Sequence, residues 1–191
     1  MSSKTSEESI YQKATLGRRF GSYLIDWYVG GLCTTLPISL ASQKIYKTMT
    51  HQNLLGFAEP IGLIVGFLAL SLAIFYFVIV PTYIYPGQTL GKKWVGLKIV
   101  KTNDQKIDLK TLIIRQVVGL LILESSFMSA SSVWQQLVEL ITNIKIIVPV
   151  TYVGAVLGVV TLLLTVFTKE NRALHDYLAR TKVVMVSRET L

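Results

Sequence analysis

The chain has 191 residues, of which 51% are hydrophobic and only 16% are charged, and its formal net charge is +8 at pH 7. A composition this apolar excludes an ordinary soluble domain of that size and makes a lipid bilayer the expected solvent. The single cysteine, Cys33, excludes a disulfide and a thiolate metal cluster within the chain.

Four stretches are candidates for transmembrane helices, each of which needs about 20 mostly apolar residues. The second and fourth carry no charge, whereas the first contains Asp26 and the third contains Arg115 and Glu124. The predicted spans are, in chain order, residues 20–40, 61–85, 112–133 and 146–167. We therefore expect an all-α membrane protein of about four transmembrane helices.

Lys and Arg are distributed unevenly among the predicted loops. Sixteen of the 19 lie before the first span, in residues 86–115 or in residues 169–191, and only Lys44, Lys47 and Lys145 lie elsewhere. Because basic loops remain in the cytoplasm, we expect both termini and the central loop there, in a plasma-membrane protein. The positive charge is explained by the orientation of the protein in the membrane and by attraction to anionic lipid headgroups. Nucleic acid is therefore not an expected partner.

The central loop predicts a small cytoplasmic β element. Apolar and basic residues alternate over residues 95–101, ahead of a turn at Asn103 and Asp104, which predicts a β-hairpin. The C-terminal run TKVVMVS, residues 181–187, is a candidate third strand. Asp108 stands where an N-cap would begin the next helix.

The sequence contains no pattern that indicates an enzyme, a cofactor or a metal site. The segment GQTLGKK, residues 87–93, has three residues between its glycines rather than the four of a phosphate-binding loop, and Lys93 stands where Ser or Thr would hold magnesium. We reject it as a phosphate site. His51 and His175 are predicted on opposite sides of the membrane, so they are not expected to share a metal.

Small residues recur at one-turn spacing on two of the spans, as Gly62 and Gly66 on the second and as Gly154 and Gly158 on the fourth. Such stripes let helices approach closely. Packing within one chain is the simpler interpretation, and a homodimer is the alternative.

The ionisable residues within the spans are the most informative feature. Arg19 and Asp26 are seven residues apart, so they share one face of the first helix, with Asp26 roughly 10 Å deeper. A carboxylate there costs roughly 2.5 to 3.5 kcal/mol, so Asp26 needs a partner, and Arg115 is the best candidate. Glu124 faces away from Arg115 on the same helix. Either Asp26, with Glu124, forms a cation or proton site whose charge balance Arg19 and Arg115 set, or these groups form a structural ion pair.

Three blocks of this sequence resemble the RDD family of membrane proteins. They are LGRRFGSYLIDW at residues 16–27, GQTLGKKWVGLKIV at 87–100 and ALHDYLARTKVV at 173–184. The resemblance implies a membrane domain over residues 16–186, with polar tails at 1–15 and 187–191.

The family is named for an Arg and two Asp residues, and these positions match Arg19, Asp26 and Asp176, while Arg115 falls where a further Arg is common. We expect Asp176 to act as a clamp that pairs with Arg172 or Arg180, or that docks the tail on Arg18 or Arg19.

Two functions remain open from this resemblance. Some members of the family are linked to sodium/proton exchange, so transport of a small cation or other small solute is the leading expectation, in which a monovalent cation or a proton is the partner and the protein acts as a homodimer. The alternative is a non-enzymatic assembly or scaffold protein, since other proteins with this domain resemble components of larger membrane complexes.

Overall fold

The structure, a computed structural model, describes residues 11–116, 119, 129–168 and 171–186. Helices dominate these residues, and three short strands form one small sheet. The helices are α1 (Leu16–Tyr46), α2 (Glu59–Ile74), which continues as a π-helix (Phe75–Ile84), α3 (Leu90–Trp94), α4 (Leu109–Gln116), α5 (Ser129–Thr142), α6 (Ile147–Phe167) and α7 (Leu174–Leu178).

Three of the described helices are long and apolar enough to cross a membrane: α1, α2 together with its π-helical continuation, and α6. They correspond to the first, second and fourth predicted spans. Half of the third predicted span, residues 112–133, lies outside the described residues, so a total of four spans stays a prediction. Large apolar side chains are exposed along all three helices, as expected for surfaces that face lipid.

Helix α1 extends beyond the predicted span at both ends. Thr15 caps it by accepting a hydrogen bond from the Arg18 amide, and it ends at Lys47 in the left-handed conformation. At 1.5 Å per residue, its 31 residues exceed the roughly 30 Å hydrocarbon core of a bilayer. Part of α1 therefore extends beyond the hydrocarbon.

The π-helix after α2 contains Pro81, which lacks the amide that a continuing α-helix would use. The carbonyl of Phe77, four residues earlier, accepts a hydrogen bond of 2.9 Å from the Gln116 side chain of α4. This bond holds α4 against the π-helix.

The sheet joins the two ends of the described chain to its middle. Strand β1 (Gln12–Lys13) and strand β2 (Leu97–Lys101) both pair antiparallel with the central strand β3 (Thr181–Met185). The C-terminal run TKVVMVS therefore contains a strand, as predicted.

The predicted hairpin after β2 is wrong. After the turn, the backbone returns only as far as Gln105, whose carbonyl accepts from the Lys101 amide. Asp108 then caps α4 by accepting from the Thr111 amide at 3.0 Å, as predicted. Residues 105–108 offer no alternating apolar run, whereas β3 supplies Val183 and Val184 to the interior.

Apolar side chains form separate cores in the bundle and under the sheet. The bundle core is Ile38, Leu54, Phe57, Ala69, Val133 and Leu137. The sheet core is Ala14, Leu97, Ile99, Leu112 and Val183. The sheet therefore packs on α4 and on the segment that leads into α1.

The glycines of α2 pack within the chain. A Cβ added to Gly62 would lie 2.8 Å from the Leu54 carbonyl oxygen, and one added to Gly66 would lie 2.6 Å from Leu137 Cδ2 of α5. On α6, Gly154 is buried and Gly158 is partly buried. The predicted homodimer stays a prediction.

Candidate functional site

The Asp26 side chain lies in the first span and is almost fully buried, with 3% of the residue exposed. Its Oδ2 atom forms an ion pair of 2.9 Å with Lys92 Nζ. The same oxygen accepts hydrogen bonds from Thr89 Oγ1 at 2.6 Å and, more weakly, from Ser22 Oγ at 3.5 Å. One carboxylate oxygen thus meets an ammonium and two hydroxyls.

The second oxygen of Asp26, Oδ1, completes the site. Tyr76, from the π-helix, donates its hydroxyl at 2.7 Å, and the Gly91 amide donates at 3.0 Å. A Cβ on Gly91 would lie 2.5 Å from the Ser22 carbonyl oxygen and 2.7 Å from Asp26 Oδ1. Only glycine lets α3 approach α1 this closely.

Helix α3 delivers most of these partners because of its local sequence. Thr89 caps it, accepting from the Lys92 amide at 3.4 Å while donating its hydroxyl proton to Asp26. The segment rejected as a phosphate-binding loop, residues 87–93, is therefore the segment that binds the intramembrane carboxylate.

The predicted pairing of Asp26 with Arg115 is wrong. Lys92 occupies that position because the chain turns back after the second span and places α3 against α1. Arg115 instead donates from Nε to Asp176 Oδ1 at 3.1 Å.

Asp176 is the centre of a second buried cluster, beyond the spans, and its residue is fully inaccessible. Arg19 Nη2 of α1 lies 3.0 Å from Oδ2. Oδ1 accepts from Arg115 and from Thr181 Oγ1 at 2.9 Å, while the Ala173 amide lies 3.3 Å from Oδ2. Burial opposes ionisation, but the charges of Arg115 and Arg19 hold the pKa of this carboxyl below its usual range.

His175 belongs to the same cluster. Its Nε2 lies 2.9 Å from Arg115 Nη2, and because a guanidinium only donates, the imidazole is neutral with its proton on Nδ1. Burial, followed by the charge of Arg115, lowers the pKa of His175 to about 3. The ring therefore stays neutral at ordinary pH.

The Asp26 and Asp176 clusters are linked along the backbone of α1 and, separately, through a hydrogen bond between α4 and the π-helix. Helix α1 carries both Arg19 and Asp26. Tyr76, which binds Asp26, is followed by Phe77, whose carbonyl binds Gln116, the neighbour of Arg115. Both clusters therefore share α1, and both contact the segment from Tyr76 to Phe77 or its partner Gln116.

A family model described as the RDD family matches residues 13–180. The chain belongs to the RDD family. No curated protein and no solved structure matches it.

The three residues that resemble the RDD name positions all lie in these clusters. Asp26 anchors one, and Arg19 and Asp176 pair in the other, so the expected docking of the tail on Arg19 is present. Arg172 donates from Nη2 to the Asp176 carbonyl oxygen rather than forming the expected carboxylate pair. Glu124, the remaining candidate, lies outside the described residues.

Sequence reasoning missed Lys92, Thr89 and Tyr76 as partners of Asp26 in this RDD protein. A signal was present in the order Thr-Leu-Gly-Lys, in which a capping hydroxyl, a glycine amide and a basic side chain occur within one turn. Tyr76 gave no such signal, because a tyrosine in an apolar span is equally compatible with lipid contact.

The parts of this RDD chain that the structure describes contain no group of three or more His, Cys, Asp or Glu side chains that could hold a metal ion. His51 lies beyond the end of α1, where its ring contacts Tyr46 and Phe57, whereas His175 lies in α7.

Proposed function

We propose that this RDD protein carries a small monovalent cation across the plasma membrane in exchange for a proton, and that Asp26 is the binding site. The observation that carries the proposal is a buried carboxylate in the first span, paired with a lysine and surrounded by hydroxyl groups from α1, α3 and the π-helix. Ionisable residues at such depth usually mark ion or proton pathways.

The chemistry of the site favours a hard cation. The oxygens around Asp26 belong to a carboxylate and to the hydroxyls of Ser22, Thr89 and Tyr76, with no sulfur or imidazole among the bonded groups. Oxygen ligands of this kind suit hard cations rather than thiophilic or imidazole-preferring metals. One carboxylate supplies one negative charge, which matches a monovalent ion.

We propose four spans with both termini in the cytoplasm. Strand β1 directly precedes α1 and pairs with β3, which follows α6 and α7, so both ends of the described chain lie on one face. An even number of crossings fits that arrangement, and α1, α2 and α6 supply three. The predicted span over residues 112–133 would supply the fourth, and the excess of Lys and Arg on the sheet side supports a cytoplasmic sheet.

A scaffold role is the second candidate, and one observation favours it. Both Asp26 oxygens are already bonded, and Asp176 ties α1, α4 and the tail together, as purely structural ion pairs would. Buried pairs of this kind can specify packing without any transport. Neither candidate includes an enzymatic step.

The test is uptake of radiolabelled sodium into proteoliposomes against a sodium gradient. Asp26→Asn removes the charge at nearly constant volume, and we expect it to reduce uptake to the level of protein-free vesicles. Asp108→Asn is the matched control, because Asp108 is an exposed carboxylate that pairs with Lys101 at 2.8 Å, and it should leave uptake unchanged. Wild-type uptake no higher than that of protein-free vesicles would favour the scaffold.

A further inference from the structure

The ammonium group of Lys92 occupies the place that a bound cation would take on Asp26. Its Nζ atom lies 2.9 Å from Asp26 Oδ2 and 3.4 Å from Thr89 Oγ1. Both are oxygen atoms that an alkali ion would also use. The pair is largely enclosed, with 15% of the Lys92 side chain and 4% of the Asp26 side chain exposed.

The other contacts of Asp26 do not depend on Lys92. Tyr76, Thr89 and the Gly91 amide each bond the carboxylate directly. A lysine side chain has four flexible methylenes and a point charge without fixed directionality, so its ammonium can leave while α3 remains docked through Thr89 and Gly91.

We infer that Lys92 is a tethered competitor for the cation site: its ammonium neutralises Asp26 when the site holds neither a cation nor a proton, and an entering alkali cation displaces it. The inference rests on the proposed function and names the substrate as a monovalent alkali ion. The physical reason is charge balance, because one buried carboxylate stabilises one cation, and a second positive charge at the same oxygen would be repelled.

Displacement also explains the placement of Lys92 on a short helix outside the spans. Helix α3 has five residues and is not one of the three long apolar helices, and 15% of the Lys92 side chain is exposed, so the Lys92 side chain reaches Asp26 from outside the spans. When an ion takes its place, the ammonium returns toward water, where its hydration offsets the lost ion pair. The site therefore avoids holding an unpaired buried carboxylate in either state.

The experiment compares the melting temperature of detergent-solubilised Lys92→Met in sodium chloride and in choline chloride at equal ionic strength. Methionine keeps the length of the side chain and removes the charge, which leaves Asp26 without its counter-ion. We expect a lower melting temperature than the wild type in choline and recovery in sodium. In Asp26→Asn/Lys92→Met, sodium and choline should give the same value.

Lys93→Met is the matched control. Lys93 is the next residue of α3, and its ammonium lies 3.6 Å from the centre of the Tyr85 ring instead of at Asp26. Its melting temperature should not distinguish sodium from choline. Equal melting temperatures of Lys92→Met in the two salts would overturn the inference, as would failure of Lys92→Met to fold in both.

A transport readout separates this inference from the proposed function. Lys92→Met should lower the half-saturating sodium concentration for uptake by about tenfold or more, since close buried charge pairs have coupling energies of that order, while Lys93→Met leaves it unchanged. If the wild type carries sodium and Lys92→Met behaves like Lys93→Met, the inference that Lys92 competes for the site is wrong, but the proposed transport function stands. If sodium stabilises Lys92→Met but the wild type carries no cation, the cation site at Asp26 is supported and the proposed transport function is wrong.

Discussion

At the residue scale, Asp176 shows how a buried charge is held outside the membrane. Two arginines from distant parts of the chain, Arg19 and Arg115, flank its carboxylate at 3.0 and 3.1 Å. The Thr181 hydroxyl and the Ala173 amide donate further hydrogen bonds to its carboxylate oxygens. Removing one partner of such a pair leaves an uncompensated charge, so this cluster fixes the tail to α1 and α4.

His175 makes the docking of the tail sensitive to acid. Its pKa is lowered from 6.5 to about 3 in the folded state, so as the pH falls below about 6.5 the unfolded form takes up a proton first and the folded form loses stability. At pH 5 the loss is about 2 kcal/mol. The groups that face the ring are cationic Arg115, Arg19 and Lys92 and anionic Asp176.

The measurement is hydrogen exchange of the β3 amides at pH 7 and pH 5, corrected for intrinsic rates. His175→Gln keeps an acceptor for Arg115 and cannot titrate, so its protection should fall less than that of the wild type. The stability that Asp176 contributes does not change between pH 7 and pH 5. Its folded pKa lies below its ordinary 3.8, so that stability is lost only as the pH falls below about 3.8. Equal loss of protection in both proteins would contradict the assignment.

The sequence allowed prediction of one ion pair and not of the other. Asp176 and Arg19 were predictable because both lie beside spans whose ends share one face of the membrane. The partner of Asp26 was not, because its choice between Arg115 and Lys92 depends on where the loop after the second span folds back. That fold depends on Thr89 and Gly91, whose roles are visible only in three dimensions.

At the element scale, close packing by glycine predicts opposite effects of the same substitution at two sites. In Gly62→Ala, the new Cβ would meet the Leu54 carbonyl oxygen at 2.8 Å, so we expect a loss of about 1 to 3 kcal/mol from overpacking. In Gly17→Ala, nothing lies within 4 Å, and the better helix propensity of alanine should stabilise α1 by up to about 1 kcal/mol.

Melting temperatures of the two variants in detergent check this prediction. A decrease for Gly62→Ala together with an unchanged or higher value for Gly17→Ala is the expected result. If Gly62→Ala melted at or above the wild-type temperature, the close contact between α2 and the Leu54 carbonyl oxygen would be contradicted.

The elements differed in how far the sequence predicted them. Long apolar runs predicted α1, α2 and α6, because hydropathy over 20 residues reflects the solvent directly. The hairpin was wrong because alternation identifies a strand but not its partner, and β3 lies about 80 residues after β2 along the chain. The π-helix was not predicted, since it depends on Gln116 of α4 satisfying the Phe77 carbonyl.

At the scale of the whole molecule, one end of the spans is covered by a cap, which consists of the sheet and the short helices α3, α4 and α7. The cap holds both family carboxylates, one through Lys92 and the other through Arg19 and Arg115. A cation that displaces Lys92 would therefore exchange one positive charge for another at Asp26 while α3 stays docked on α1 through Thr89 and Gly91. The cap therefore supplies bonding partners to both buried carboxylates.

The most direct test of the central claim is sodium-driven proton movement in proteoliposomes. Vesicles loaded with sodium and diluted into sodium-free buffer should become acidic inside when they contain the wild-type protein, because each departing cation is exchanged for a proton at Asp26. Vesicles with Asp26→Asn at equal incorporation should keep their internal pH. Wild-type vesicles that match protein-free vesicles with sodium, lithium and potassium alike would contradict cation/proton exchange by this protein.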